Sequence, residues 1–138
     1  MPTIFTKIIQ GEIPSYKVAE NDSFFAFLDI RPVAFGHTLV VPKRENDYIF
    51  DMEDSELGDM FSFAKKVARI LQSHIDCERI GISVIGLEVP HTHVHLIPIR
   101  TIADMNFSAE RYVFNPSEYE KLAEKLYISY LKLYESGK

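Results

Sequence analysis

One stretch constrains the fold of this chain more than any other: Val89-Pro90-His91-Thr92-His93-Val94-His95-Leu96-Ile97. Side chains of a β-strand alternate between its faces, so a strand here puts Val89, His91, His93, His95 and Ile97 on one side. Thr92, Val94 and Leu96 fall on the other, which suits packing against a helix. The five histidines of the chain, scattered at random, would give an i, i+2, i+4 triplet in roughly 0.003 of sequences of this length. Composition does not explain the alignment.

The rest of the chain supplies layers for such a strand. Ile4, Phe5, Ile8 and Ile9 form a helical stripe over residues 3–10, with Thr3 as cap and Gly11 as stop. Residues 23–29 and 37–42 read as strands joined by a turn-rich connection. A helix over 54–75 follows from Leu57, Met60, Phe61, Ala64, Val67, Ala68, Leu71 and Ile75, which keep to one face of a 3.6-residue repeat. Two more strands, 79–85 and 88–97, flank Gly86. Asn115-Pro116-Ser117-Glu118 joins an N-cap, a proline and an acid at the start of a helix reaching about Glu135. Its tyrosines, Tyr127, Tyr130 and Tyr134, read as packing residues rather than a stripe facing a partner. Short connections between strands imply a mainly antiparallel sheet, and the class is α+β in one domain over 1–138.

Charge and hydropathy exclude several roles. Fifteen Lys and Arg against twenty Asp and Glu leave a net charge of −5, with no basic run longer than two, so nucleic acid is not an expected partner. The longest apolar run, Phe24 to Leu28, has five residues, far short of a membrane span. Gly11-Glu12 interrupts the N-terminus before a signal-peptide core could form, and a single cysteine, Cys77, has no bridging partner in the chain. The expectation is a cytoplasmic protein.

What can a row of imidazoles do? Two of them could contribute to a metal site, but His91 and His95 lie about 13 Å apart along a strand, too far to share one ion easily. A solvated polar face is a second reading, although exposed strands usually employ Lys, Glu and Thr. The third uses the rings themselves. So close together they cannot all be charged, and the row is expected to hold a neutral member beside a protonated one. A neutral imidazole is a nucleophile that needs no deprotonation, and an imidazolium is a donor and an acid. That combination suits attack on phosphorus.

His91-Thr92-His93-Val94-His95-Leu96-Ile97 resembles the signature of the histidine triad (HIT) superfamily of nucleotide hydrolases and transferases. Residues 4–15, from Ile4-Phe5-Thr6-Lys7 to Pro14-Ser15, resemble the opening of its Hint-like branch. Residues 26–30 (Ala26-Phe27-Leu28-Asp29-Ile30) and 36–43 (Gly36-His37 to Pro42-Lys43) resemble its central block. The match spans 4–98, and the last 40 residues, with their added helix over about 115–135, lie outside it. The resemblance implies a five-stranded antiparallel sheet, a homodimer, and hydrolysis of a nucleoside monophosphate, with AMP expected, from an amine or phosphate leaving group. In that scheme His93 attacks the α-phosphorus and is transiently nucleotidylated. His95 serves the phosphate and leaving group, His91 orients the nucleophile, and His37 stands behind the row. Asp29 matches the ribose contact, and Ile4, Phe5, Ile8, Phe27 and Ile30 the apolar lining of the base site. Two alternatives stand beside this: a nucleotide-binding or regulatory module with little turnover, and a diadenosine-polyphosphate hydrolase.

Three departures accompany the resemblance. Many relatives begin with a zinc-binding Cys-x-x-Cys pair and carry a further histidine; here Thr3, Thr6 and Glu45 stand there. No structural zinc, and no metal or cofactor, is therefore expected. Gly86-Leu87-Glu88 replaces the usual phosphate-contacting Gly-Gln-hydroxyl run, so Glu88 is expected to point away from phosphate or to meet a cation. The loop before Gly86 is also shortened.

Overall fold

The alternation along the sequence becomes a sheet with two unlike faces. The structure, a computed structural model, describes residues 2–135. Five antiparallel strands, β1 (Lys17–Glu20), β2 (Phe24–Leu28), β3 (Thr38–Pro42), β4 (Arg79–Ser83) and β5 (Val94–Ile99), lie in the order β1-β2-β3-β5-β4. Three helices accompany them: α1 (Ile4–Ile9), α2 (Asp54–His74) and α3 (Pro116–Tyr130), the last continued by a π-helical turn over Leu131–Glu135. No helix among the described residues is long and apolar enough to cross a membrane.

One face of the sheet carries the main core. Phe24, Ala26 and Leu28 of β2, Val40 of β3, and Val94 and Leu96 of β5 meet Met60, Phe63, Ala64, Val67, Ile70 and Leu71 of α2. Leu122, Ala123, Leu126 and Tyr130 of α3 join the same cluster, so both long helices lie on this side. Val67, Ile70 and Leu71 are fully buried, and burying each such side chain contributes about 1.5–3 kcal/mol. Tyr130 is in this core and Tyr134 packs on its ring, as the packing reading of the tyrosines expects. On the opposite face Phe25, Phe27, Leu39 and Val41 meet Phe5 of α1. That helix is short and leaves the neighbouring part of the face, over β3 and β5, to the histidines.

Several expected elements are present with trimmed ends. β2, β3, α2 and β4 each fall within one or two residues of the sequence reading, and Asn115 caps α3 by accepting from the Ser117 N–H at 2.7 Å. Two differences have physical causes. β1 has no counterpart among the strands that alternation marks, because both central residues, Val18 and Ala19, are buried and its register shifts between Lys17 and Ala19, which erases alternation. The expected strand over 88–97 begins only at Val94. Pro90 has no N–H to give, the His91 N–H turns back to Val89 O (2.8 Å), and the Thr92 N–H goes to Asn46 O (2.6 Å). The run from Val89 to His93 is thus held by loop contacts.

Gly36 sets up the approach to β3. Its φ is +89°, and a Cβ there would fall 2.2 Å from Ile75 Cδ1. Only glycine fits that turn, which delivers His37 beneath the sheet's open face.

Candidate active site

His93 and His95 keep the shared face that alternation predicts, one just before β5 and one within it. Their ring centroids are 5.0 Å apart, and the row continues on both sides, to Phe5 at 5.1 Å from His93 and to Phe107 at 4.8 Å from His95. His95 lies opposite Leu39 of β3 and Ser83 of β4. Above the row opens a cavity of about 290 Å³, the size of a small-molecule site. Phe5, Leu39 and Val89 provide apolar wall, and Asp29, Glu88 and Arg111 provide charge.

Hydrogen bonds fix where the ring protons sit. His93 Nδ1 is 2.8 Å from His91 O. A carbonyl only accepts, so Nδ1–H donates to it and the lone pair of the neutral ring is on Nε2. The Val33 N–H donates to His37 Nδ1 at 3.1 Å, which puts the proton of neutral His37 on Nε2. That N–H in turn donates to His95 Nδ1 at 2.9 Å, leaving His95 with a donor at Nε2. His37 is 1% exposed. One backbone amide therefore sets the tautomer of two rings.

Burial is the first cause of every histidine shift here. It pushes His37 down to about 3 and His95 down to about 4, with neighbouring rings and the Arg111 charge adding to the effect. His91 is also lowered by burial. The expectation of a protonated member finds no support at these three positions: each ring is desolvated, and neither the Asp29 carboxylate 3.6 Å from His37 Nε2 nor the Glu45 charge near His91 offsets the burial. Asp29 moves the other way: burial raises it, against the Arg31 N–H donated to Oδ1 at 2.8 Å and the charge of Arg111.

The remaining expected residues divide. His91 is fully buried and off the cavity wall; Nε2–H donates to Pro42 O at 2.8 Å, and Nδ1 takes the Thr3 hydroxyl at 2.6 Å. Its contact with His93 is through its backbone carbonyl. Phe5 and Asp29 line the cavity. Phe27 lies below Phe5, 5.7 Å between centroids, and Ile8 is half-buried in the same cluster. Ile4 and Ile30 are 49% and 67% exposed and form no part of the wall. A helix of six residues presents only one narrow face, and Ile4 is not on it. Glu88 is among the residues that line the cavity, and its charge acts on Asp29 to raise it.

No pattern in the sequence marks Phe107 and Arg111. They come from the irregular segment after β5, where no periodicity marks a lone aromatic or a lone arginine as facing a site.

Metal chemistry has one candidate set. Among the described residues, Asp29, His37 and His95 bring donor atoms within 4.8 Å of one another. The donors do not suit an ion. Coordination through His37 Nε2 would move the ring proton to Nδ1, where it would face the Val33 N–H. The zinc positions of relatives fare no better: the Thr3 hydroxyl accepts the Thr6 N–H and meets His91, and the Thr3 N–H donates to the Glu45 carboxylate at 3.1 Å.

The HIT domain family model matches residues 10–102, about two-thirds of the chain. The chain is 41% identical over 99 residues to the adenosine 5'-monophosphoramidase HNT1 of Saccharomyces cerevisiae, a stretch covering 70% of this chain and 62% of the yeast protein. A HIT-like protein from Bartonella henselae superposes with a TM-score of 0.77 at 31% identity, covering 92% of this chain and 95% of that one. A zinc-bound histidine triad protein from Mycobacterium smegmatis gives the same TM-score at 25% identity, over 98% and 96% of the two chains. With that match over more than half its length, and the histidine row built on the sheet as described, the chain belongs to the HIT family of nucleotide-binding proteins and hydrolases.

Proposed function

We propose that this protein hydrolyses a nucleoside monophosphate, AMP foremost, from an amine or phosphate leaving group. The observation that carries the reading is the His93–His91 carbonyl bond: it aims an unprotonated Nε2 at the cavity without any base to prepare it. In the first step Nε2 bonds to the α-phosphorus and the bond from phosphorus to the leaving group breaks. The leaving group departs with the electron pair and takes up a proton from solvent water, which the attacking water of the second step gives back. Imidazole cation character develops on His93, and the His91 carbonyl stabilises its Nδ1–H. In the second step water adds to phosphorus, loses a proton, and the P–N bond breaks to return free His93. His95 donates Nε2–H to a phosphate oxygen or to the leaving atom throughout.

The apolar wall of Phe5, Leu39 and Val89 takes the base, and Asp29 accepts from ribose hydroxyls. Glu88 on the wall favours a cationic amine as leaving group, and the yeast relative is a phosphoramidase. The working unit is a homodimer joined along β4. His93→Ala tests the chemistry: turnover of AMP-amine conjugates falls by ~10⁴ or more while AMP binding persists. Retained turnover in that variant overturns the mechanism.

A further inference from the structure

Charge on the cavity wall is unevenly supplied. Asp29 and Glu88 are two carboxylates on it, and burial keeps His95 neutral. A phosphate brought onto His93 thus enters a cavity whose wall carries two acidic residues. Among the described residues lining the cavity, Arg111 is the single lysine or arginine.

We propose that Arg111 is the phosphate-binding residue of this site: its guanidinium holds the oxygens of the phosphoryl group that His93 attacks. The proposal rests on the nucleotide-hydrolase reading and adds to it a residue from outside the histidine motif. Three observations support it. Arg111 lines the same cavity as His93 and His95. Its guanidinium is pre-positioned, because Nη1 donates to Arg31 O at 3.0 Å and Nη2 to Phe107 O at 3.1 Å, and Cζ lies 5.6 Å from the centre of the Phe107 ring. That ring in turn lies edge-on to His95. Both bonds go to neutral carbonyls, so they orient the cation without cancelling its charge. They occupy two of five N–H donors, and the others remain for phosphate oxygens. Its field already reaches Asp29, His37 and His95. In the run before the histidines, Leu87 is apolar and 89% exposed and Glu88 is anionic, so neither is suited to hold phosphate.

The competing role is a staple, since the same two bonds tie residue 31 to the segment around 107–111. Calorimetric titration of wild type, Arg111→Gln and Arg111→Lys with AMP and with adenosine separates the two. Phosphate binding predicts that Arg111→Gln weakens AMP about ten- to a hundredfold and leaves adenosine within about twofold. Arg111→Lys, which keeps the charge but loses the fork, recovers part of the AMP affinity. Equal losses for AMP and adenosine in both variants make Arg111 a staple and overturn the proposal. Unchanged AMP affinity in Arg111→Gln overturns it as well. Wild type that binds neither ligand refutes the nucleotide reading itself, which is a different failure.

Discussion

A single amide, the Val33 N–H, determines the state of two histidines, and this has a consequence for pH. In an unfolded chain a histidine takes up a proton near 6.5. Folded His95 does so only near 4 and His37 near 3, because burial opposes the charge. Between 6.5 and about 4 the unfolded state therefore binds more protons, and stability falls as pH falls. Each ring contributes about 1.4 kcal/mol per pH unit over that window, so the pair contributes about 3. Unfolding in denaturant between pH 7.5 and 5.5 measures the slope. His37→Asn should reduce it and leave the shares of His95 and of His91, which burial also lowers; an unchanged slope would mean that His37 is charged in the fold. The histidine row was legible in the sequence because it obeys a period of two. The proton positions were not, because they depend on carbonyls and amides of residues 33, 42 and 91 that no pattern marks.

At the scale of the element, α1 serves the site through its N-cap residue. Thr3 caps the helix by accepting the Thr6 N–H at 3.1 Å, and the same hydroxyl meets His91 Nδ1 at 2.6 Å. His91 is fully buried and holds His93 by its carbonyl, so the helix start and the nucleophile share one chain of contacts. Thr3→Val keeps the shape and loses the hydroxyl. It removes a cap contributing about 1 kcal/mol and leaves a buried ring nitrogen unsatisfied, which costs a further 1–3 kcal/mol or so. Turnover should fall along with stability, and Thr3→Ser should restore both; a Thr3→Val variant as stable as wild type refutes the link. The cap itself was readable as Thr3 before Ile4 and Phe5. Its bond to His91, 88 residues away, was not, since it exists only after β5 is laid beside β3. Phe107 and Arg111 were invisible for the same reason: the return of an irregular segment over His37 and His95 is a tertiary event.

Across the whole molecule the two edges of the sheet are protected to different degrees. β1 is broken by its register shift, carries Lys17 paired with Glu20 at 3.2 Å, and lies under α3. Bulges, lysines and a covering helix are the usual means of blocking strand addition. β4 has none of them in its middle. It pairs with β5 in unbroken register from Arg79 to Ser83, and among the described residues no strand lies along its other edge. Within and just after β4, Ile82 is 49% exposed and Ile85 46%, apolar surface of the kind a monomer seldom leaves bare. A second copy added antiparallel along β4 would pair its amides, cover these isoleucines and make one continuous sheet. It would also fall beside residues 85–88, which follow β4 and form part of the cavity wall. The proposed homodimer therefore predicts a mass of about 32 kDa in sedimentation, twice the 15.9 kDa of the chain. Ile82→Asp sets two carboxylates near each other across the two-fold axis and should shift the protein to monomer. Because the wall after β4 would lose its support, the monomeric variant should also bind AMP more weakly. Wild type that sediments as a monomer at tens of micromolar would refute the dimer. A monomeric Ile82→Asp protein with unaltered AMP affinity would keep the dimer and show that each copy completes its own site.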